Sequence, residues 1–398
     1  MKQFRMAFFF ALWTMVIYGA IDATRSATGP LLQAQTHITY TQLGALFAAN
    51  SIGYLLGSLP GGFALHHVGL KRIILCGSIG LGAILAVLPI WHIYLLLWLG
   101  FFVLGWMMGW LEIGINAVIP AVSTSSRAES TGFNLLHGCY GVGATVVPIV
   151  VIWLATASGS WGTPFYGIGL LTLLAALAIA RFRFPKAPEP MRQPEQHAAQ
   201  TRLFTSPLLY TLLIAITLYV VAETGTAAWL PTYLVHAQGQ SVNQSSWFLT
   251  GFYLVFTIGR LSGPVWVHHL GPYGSIVFSS VFSLVLFSIA LISPSMPVLF
   301  IISGFGFAVT FPMIVHIASQ AFAQETGRVL GVLFTSAGVG SMAMSWLIGI
   351  LATRCSIQTA FWLIPVSLVL VLFATVAAKW LDQKRTQSVS TTVPPASL

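Results

Sequence analysis

Three carboxylic acids, Asp22, Glu112 and Glu223, stand inside strongly apolar stretches of the sequence. The chain has only eight acidic residues, and the other five lie in more polar stretches. A charged side chain at the centre of a lipid bilayer costs about 2.5–3.5 kcal/mol on insertion scales, so an acid in such a stretch indicates a functional group. The alternative is an acid that pairs with a neighbour for helix packing.

Side chains that can hydrogen-bond to a carboxyl group surround Glu112 in the segment GWLEIGINAVIP (109–120). Asn116 lies one helical turn after Glu112 on the same helix face, and Asn134 and His137 share a face of the next apolar stretch. Burial and hydrogen bonding shift the pKa of a carboxyl group in opposite directions, which allows the group to exchange a proton. We therefore predict proton coupling at Glu112 and His137, with helix packing as the alternative for His137.

Asp22 has polar neighbours on its own helix. Arg25 follows it by three residues and can form an ion pair within the helix, and Tyr18 lies one turn before it on the same side. The pair reduces the cost of placing either charge in apolar surroundings. We predict that Asp22 takes part in proton coupling and that Arg25 and Tyr18 contact the substrate; a purely structural ion pair is the alternative.

Aromatic rings beside these polar groups would suit a sugar, which combines hydroxyl groups with apolar C–H faces. For any single ring, packing within the membrane is the alternative. The predicted substrate-binding residues are Asn116, Asn134, Trp229, Tyr219, Tyr140, Tyr18 and Arg25.

The elements that must position these residues are membrane-spanning helices. Of the 398 residues, 57% are hydrophobic and 6% are charged, whereas a soluble domain has about 25% charged residues. A bilayer requires roughly 20 apolar residues per helix. At that length the sequence predicts twelve spans, at 6–33, 41–62, 72–91, 93–121, 131–155, 162–184, 207–235, 245–267, 273–293, 297–319, 328–353 and 357–380.

The net charge of +9 indicates membrane topology rather than nucleic-acid binding. With both termini in the cytoplasm, fourteen of the seventeen Lys and Arg residues fall on the cytoplasmic side. Arg354 lies in an outer loop, and Arg25 and Arg260 lie inside spans. This is the positive-inside distribution of a multi-pass protein, here expected in the inner or plasma membrane of a bacterium. We expect Arg260 to anchor the cytoplasmic end of its helix.

The sequence divides into two halves that repeat. A proline-rich polar segment at 185–206 separates six predicted spans from six others and has the composition of a linker. The segments GYLLGSLPGGFALHHVG (53–69) and VFTIGRLSGPVWVHHLG (255–271) are identical at six positions at an offset of 202 residues. We predict an all-α membrane protein with an N-terminal six-helix bundle (1–184), a cytoplasmic linker (185–206), and a C-terminal six-helix bundle with a short tail (207–398).

The repeat also bears on the acids and the glycines. Duplicated bundles place a substrate site between the repeats, near the middle of the membrane. Glu223 lies 201 residues after Asp22, so both acids are expected beside this central site, and Glu223 is predicted to take part in proton coupling. Gly53, Gly57 and Gly61 are spaced four apart, which favours close helix packing rather than a place in the transport path.

The two six-span halves with a basic central linker resemble the major facilitator superfamily. In the place of that family's loop signature, Gly61 is followed by His66 instead of the usual aspartate, and Lys71 and Arg72 keep the basic end. Neutral histidines at the membrane face are our preferred interpretation of this loop.

Three segments resemble the fucose permease-like sugar symporters of that superfamily: GWLEIGINAV (109–118), FNLLHGCYGVGA (133–144) and LYVVAETGTAAWLPTYL (218–234). Trp229 is the preferred substrate-stacking residue because it lies in the third segment. That branch also has an acid close before a proline in its first helix. Here Asp22 precedes Pro30 by eight residues, which is farther than the resemblance implies.

We therefore predict a secondary transporter that imports a neutral sugar or polyol together with a proton by alternating access. A proton antiporter that exports an amphipathic drug-like molecule is the main alternative, and a non-transporting receptor and sodium coupling also stay open. The phosphate-binding motif GxxxxGK[ST] does not occur, which argues against an ATP-driven pump. We expect no enzymatic activity, no cofactor or metal besides the coupling ion, and a monomer whose partners are the substrate and the bilayer.

Overall fold

The computed structural model describes residues 5–185, 204–322 and 325–392. Within these ranges the regular structure is helical and no strand occurs, which confirms the all-α prediction. The helices are α1 (Arg5–Ala27), α2 (Gly29–Thr36), α3 (Tyr40–Val68), α4 (Leu70–Val87), α5 (Tyr94–Val122), α6 (Ser126–Ser158), α7 (Thr163–Arg181), α8 (Pro207–Gln238), α9 (Val242–Ile292), α10 (Val298–Phe307), α11 (Thr310–Ala321), α12 (Thr326–Arg354), α13 (Ile357–Phe361) and α14 (Leu363–Thr392).

Ten segments among the described residues are long and apolar enough to cross a bilayer. The predicted second and eighth spans are not in this set, although α3 and the first part of α9 are continuous helices of membrane-spanning length. These two helices carry the repeated glycine-rich sequence and pack against helices from the other part of the chain. Helix contacts therefore take the place of lipid along part of each of these two helices.

Three predicted spans are interrupted. The first span divides at Thr28 into α1 and α2, with Pro30 in the first turn of α2, where a missing N–H is tolerated. The tenth span divides into α10 and α11, and the twelfth into α13 and α14. Most of the predicted linker lies outside the described residues. The division into two domains therefore stays a prediction.

The repeated sequence ends in the same backbone conformation in both halves. Gly69 follows α3 with φ 92° and ψ 153°, and Gly271 lies within α9 with φ 67° and ψ 170°. Such a positive φ is rare for residues with a side chain, so each repeat needs glycine where the chain turns into its next span. The two turns lie 202 residues apart, as the sequence repeat does.

Glycines bring α3 and α5 into backbone contact. A methyl group on Gly53 or Gly57 would meet the backbone of Phe102 or Trp106 in α5. A methyl group on Gly105 would meet the carbonyl oxygen of Asn50 in α3. The packing interpretation of the glycines in the second span is confirmed, and the two helices form one rigid pair.

The two parts of the chain meet at a pair of interfaces related by the repeat. The second-span helix α3 packs against the eleventh-span helix α12, and the fifth-span helix α6 packs against the eighth-span part of α9. In a repeat of six spans, the second span corresponds to the eighth and the fifth span corresponds to the eleventh, so the two interfaces are equivalent. A central space between these two interfaces is therefore enclosed by both parts of the chain.

The contact between α3 and α5 generates a prediction about stability. Gly105→Ala places a methyl group where the Asn50 carbonyl oxygen lies, so the helices must separate. Overpacking of this kind costs about 1–3 kcal/mol. We expect Gly105→Ala to lower the thermal unfolding temperature of the protein in detergent. Gly167→Ala in α7 is the matched control, because a methyl group there meets no atom within 4 Å. Equal unfolding temperatures for the two variants would contradict this account.

Candidate functional site

A cavity of about 800 Å³ lies between the two parts of the chain. Side chains from α1, α3, α5 and α6 form one wall, and side chains from α8, α9, α11 and α12 form the other. The volume falls in the range of about 300–1,000 Å³ that is typical of small-molecule sites. The ionisable side chains that line it are Asp22, Arg25, Glu112, His137, Glu223 and Arg260.

The cavity is closed at the end opposite the chain termini. There the Thr41 hydroxyl of α3 lies 2.9 Å from the Thr353 hydroxyl of α12, and Ser51 lies 3.4 Å from Ser341. Ser51 and Ser341 line the cavity, and its lining continues along the two helices to Ser58 and Phe334. The cavity therefore extends from the closed end towards the end that carries the termini.

Trp229 takes part in the closed end. Its side chain is fully buried, its ring meets the Phe47 ring edge-on at 5.7 Å between centroids, and it lies against Gly44. Trp229 is not among the residues that line the cavity. Trp229, which the sequence favoured as the residue that stacks on the substrate, is thus packed between helices of the two halves.

Asp22 and Arg25 form a closely held ion pair. Their nearest oxygen and nitrogen atoms are 2.5 Å apart, and the Tyr140 hydroxyl donates a hydrogen bond of 2.7 Å to Asp22. Arg25 also donates to the side chain of Asn50 in α3, which in turn donates to the Phe101 carbonyl in α5. This network connects α1 to α3, α5 and α6.

Glu112 has a different set of partners. The Tyr18 hydroxyl donates a hydrogen bond of 2.8 Å to its carboxylate, and Tyr54 also interacts with that group. Among the described residues no guanidinium or ammonium group forms an ion pair with Glu112. Within the part of the chain that the structure describes, Glu112 is therefore a carboxyl group held by phenols, without a compensating positive charge.

Glu223 and Arg260 form a looser pair across α8 and α9. Their nearest atoms are 3.8 Å apart, beyond hydrogen-bonding distance. The expectation that Arg260 anchors the end of its helix is wrong, since its side chain lines the cavity. The helical part of α9 continues to residue 270, about 15 Å beyond Arg260 at 1.5 Å per residue. Arg260 thus lies deeper than the predicted span boundary implied.

The remaining predicted residues fall into separate environments. Asn116, His137, Tyr140 and Tyr18 line the cavity, and Asn116 donates its amide hydrogen to the Glu112 backbone carbonyl. The Asn134 side chain lies outside the described residues. Tyr219 is buried and donates to the Phe307 carbonyl oxygen, so it supports the site from behind the cavity wall.

Several cavity residues were not predicted from the sequence. They include Asn50, which positions Arg25, and Tyr54, which interacts with Glu112. The available signal was the presence of amide and hydroxyl side chains within spans. The neighbours of an ionisable residue along the chain can be read from the sequence, whereas these two residues act from another helix.

Comparison with known proteins yields a family match over most of the chain. The model of the Major Facilitator Superfamily matches residues 10–279 and 212–395. An MFS-type transporter of Yersinia pestis is 25% identical over 380 residues, which cover 94% of this chain and 93% of that protein.

Solved structures show the same fold. The fucose:proton symporter of E. coli superposes with a TM-score of 0.64 at 17% identity, covering 94% of this chain and 99% of the other. A bacterial homologue of the human lysosomal transporter Spinster, in an inward-facing and occupied conformation, superposes with a TM-score of 0.77 at 13% identity over the full length of both chains.

The Asp22–Arg25 pair generates a prediction about stability. Arg25→Met leaves the Asp22 charge without its cation, and losing a hydrogen bond to a charged group costs about 1.5–3 kcal/mol. The double variant Asp22→Asn/Arg25→Met removes both charges. We expect the single variant to unfold at a lower temperature in detergent than the double variant.

The Glu325–Arg328 pair, in which the arginine is exposed, is the matched control. Its two residues are also three apart in the sequence, and their nearest charged atoms are 3.4 Å apart. There Arg328→Met should change the unfolding temperature little, since exposed pairs contribute about 0–1 kcal/mol. An Asp22→Asn/Arg25→Met variant less stable than Arg25→Met would contradict the account of the inner pair.

Proposed function

The chain belongs to the Major Facilitator Superfamily, and from this premise we propose that it is a proton-coupled symporter of a neutral sugar or polyol. As a multi-pass membrane transporter, it would work by alternating access, in which the central cavity opens first to one side and then to the other. We propose that it lies in a bacterial inner membrane with both termini in the cytoplasm. The cavity described above would then face the cytoplasm.

The observation that carries the proposal is the environment of Glu112. Asp22 lies beside Arg25 and Glu223 lies beside Arg260, whereas Glu112 has phenol partners and no cation among the described residues. An acid without a cation is the group whose charge costs most when water is excluded. Binding a proton removes that charge. Glu112 is therefore the preferred proton-coupling residue, ahead of Asp22, Glu223 and His137.

The balance of charges supports a neutral substrate. The described cavity residues include three carboxyl groups, Asp22, Glu112 and Glu223, and two guanidinium groups, Arg25 and Arg260. With His137 neutral, one proton on Glu112 brings their sum to zero. A neutral substrate keeps that balance when the cavity closes, whereas an ion would upset it.

Protonation would then permit the carrier to change its facing. Closing the halves over an ionised Glu112 leaves a carboxylate in apolar surroundings, at a cost of about 2.5–3.5 kcal/mol on insertion scales. A proton removes this penalty, and a difference of one pKa unit between the two facings corresponds to about 1.4 kcal/mol. The sugar-loaded carrier can thus reorient once it is protonated, while the sugar-loaded but ionised carrier is held back. Return of the empty, ionised carrier, with water in place of the sugar, completes the cycle.

The sugar assignment rests on the chemistry of the wall and on the relatives. Asn50, Asn116 and several serines and threonines line the cavity together with aromatic rings, a combination that suits hydroxyl groups and C–H faces. One structural neighbour is a fucose:proton symporter by its name. Its likeness to this chain concerns the fold, so it adds support without fixing the substrate.

A second candidate is a proton antiporter that exports an amphipathic molecule. The phenylalanine rings in the cavity favour it: Phe252, Phe256, Phe311 and Phe334. The direction of the proton gradient separates the two functions. An inward proton gradient drives uptake by a symporter, whereas an outward proton gradient drives uptake by an antiporter.

The function is tested with purified protein in proteoliposomes and a panel of radiolabelled sugars and polyols. We expect at least one compound to accumulate above its external concentration when the outside is acidic. Accumulation should disappear when an ionophore dissipates the pH gradient and should not be restored by a sodium gradient. Accumulation driven only by an acidic interior would instead support the antiporter, and accumulation driven only by sodium would contradict proton coupling.

Glu112→Gln provides a residue-level prediction. Glutamine resembles the protonated acid in shape and keeps an oxygen that can accept the Tyr18 hydrogen bond. We expect the variant to lose uphill accumulation while retaining exchange of labelled for unlabelled sugar at equal concentrations. Accumulation by this variant under a pH gradient would exclude Glu112 as the coupling acid.

Alternating access predicts that the closed end must open. Thr41→Cys/Thr353→Cys places two thiols where hydroxyl groups lie 2.9 Å apart, in a background in which Cys76, Cys139 and Cys355 are replaced. Oxidation should form a disulfide that abolishes transport, and reduction should restore it. Each single cysteine variant serves as the control. Full transport by the cross-linked protein would contradict opening at this end.

A further inference from the structure

Two acid–arginine pairs face the cavity, one from each half, and they differ in how firmly they are held. The Asp22–Arg25 pair closes at 2.5 Å and has additional hydrogen bonds to Tyr140 and Asn50. The Glu223–Arg260 pair stays open at 3.8 Å, and its side chains are 21% and 36% exposed. Charge-assisted hydrogen bonds normally measure about 2.7–2.9 Å. Glu223 and Arg260 thus attract each other without forming a hydrogen bond.

Other contacts hold Arg260 in this position. Its guanidinium lies over the Phe256 ring, 4.3 Å from the centroid, and its Nε–H donates to the Ala308 carbonyl at 3.3 Å. A guanidinium has five N–H donors in a fixed planar arrangement. The Nε–H donor is used by Ala308. The contacts with Ala308 and Phe256 leave a terminal nitrogen of Arg260 3.8 Å from Glu223, too far for a hydrogen bond. Arg260 therefore offers donors at a fixed place in the wall.

The hydroxyl groups in the wall provide mainly acceptors. Thr224 donates its hydroxyl hydrogen to the Val220 carbonyl at 2.6 Å, and Thr335 donates to the Gly331 carbonyl at 2.8 Å. Their oxygens keep lone pairs that can accept hydrogen bonds. The carboxylate of Glu223 is also an acceptor. A ligand for this part of the cavity must bring several donors and at least one acceptor for Arg260.

We propose that Glu223 and Arg260 form the substrate-binding element, and that they recognise two neighbouring hydroxyl groups of an uncharged polyol. One hydroxyl donates to the Glu223 carboxylate, and the oxygen of the other accepts from Arg260. The substrate thereby supplies the hydrogen bonds that the two side chains do not make to each other. This inference rests on the proposed sugar or polyol transport, and it gives Glu223 a binding role in place of the predicted proton-coupling role.

The two pairs thus have separate tasks. The Asp22–Arg25 pair is closed on itself, is bonded to Tyr140 and Asn50, and holds α1 against its neighbours. The Glu223–Arg260 pair belongs to the opposite half, and its two side chains make no hydrogen bond to each other, so that a ligand can bond to both. A polyol bound there bridges α8 and α9, while Glu112 in the first half takes the proton.

The test measures sugar affinity in purified wild type, Arg260→Gln and Glu223→Gln, with thermal unfolding as the check on folding. The ligands are a transported sugar and its monodeoxy analogues. For wild type we expect removal of either of two adjacent hydroxyl groups to weaken binding at least tenfold. We expect a similar weakening of the parent sugar in both variants. Arg328→Gln, which carries the same substitution outside the cavity, is the matched control and should bind like wild type.

A double-mutant cycle identifies direct contact. In Arg260→Gln, the sugar that lacks the hydroxyl contacted by Arg260 should bind almost as well as the parent sugar, because that contact is already lost. If Arg260 had only a structural role, removing this hydroxyl would weaken binding to the variant as much as it weakens binding to wild type; this loss of affinity is the deoxy effect. Unaltered sugar affinity in both folded variants, or an unchanged deoxy effect, would overturn the inference while leaving sugar transport intact. If Arg260→Gln does not fold, Arg260→Lys takes its place and is interpreted together with the deoxy series in wild type. A wild-type series in which no two adjacent hydroxyl groups contribute to affinity would overturn the inference. Failure of wild type to bind any sugar or polyol of the panel would contradict the proposed function itself.

Discussion

The cost of enclosing an uncompensated charge is the constraint on which the rest of the structure depends. Two of the carboxyl groups in the cavity, Asp22 and Glu223, each lie near an arginine, and the third, Glu112, is held by phenol groups. The charge of Glu112 can therefore be accommodated in two ways: water can solvate it, or a bound proton can remove it. In the proposed mechanism the sugar-loaded carrier changes its facing most easily when the proton is present, which is the physical basis of coupling.

Rigid packing is needed for such a charge to act on the whole molecule. The α3–α5 contact places backbone against backbone at Gly53 and Gly105, and α1 and α6 approach in the same way at Gly19 and Gly143. Between the halves, the α3–α12 contact is closed near Thr41 and Thr353, and the cavity extends from there towards Ser58. In the proposed alternating access, these close contacts would keep the helices of the first half together while the contact between the halves separates. The polar groups at the centre can then bias which end is closed.

Much of the architecture could be predicted from the sequence because two signals are independent of tertiary contacts. Apolar length predicts the helices, and the repeated sequence that ends at Gly69 and Gly271 predicts matching turns. The placing of Asp22 and Glu223 beside one central cavity also followed, because the repeat relates their positions. The side of a nearly uniformly apolar helix that faces the cavity is harder to predict. Trp229 and Tyr219 lie on the same helix as Glu223, yet neither lines the cavity.

The contacts between helices were least accessible to sequence reasoning. Tyr54 interacts with Glu112 across α3 and α5, and Asn50 bonds to Arg25 across α1 and α3. Nothing in the spacing along the chain relates these residues, since their proximity follows from how closely glycines allow the helices to approach. Arg260 was misplaced for a related reason. Its helix ends close to the predicted boundary at 267, and the arginine side chain lies at the cavity about 15 Å from that end, near Glu223 of the neighbouring helix.

Proton movement during downhill sugar flux tests the central claim most directly. Proteoliposomes in weakly buffered medium, without an imposed pH gradient, receive sugar on one side, and external pH and labelled sugar are recorded together. For wild type the account predicts that the external medium becomes more alkaline as sugar enters, with about one proton carried per sugar if Glu112 is the single coupling group. For Glu112→Gln it predicts continued sugar entry without a pH change. Sugar entry accompanied by the wild-type pH change in Glu112→Gln would contradict the claim that the acid without a cation carries the proton.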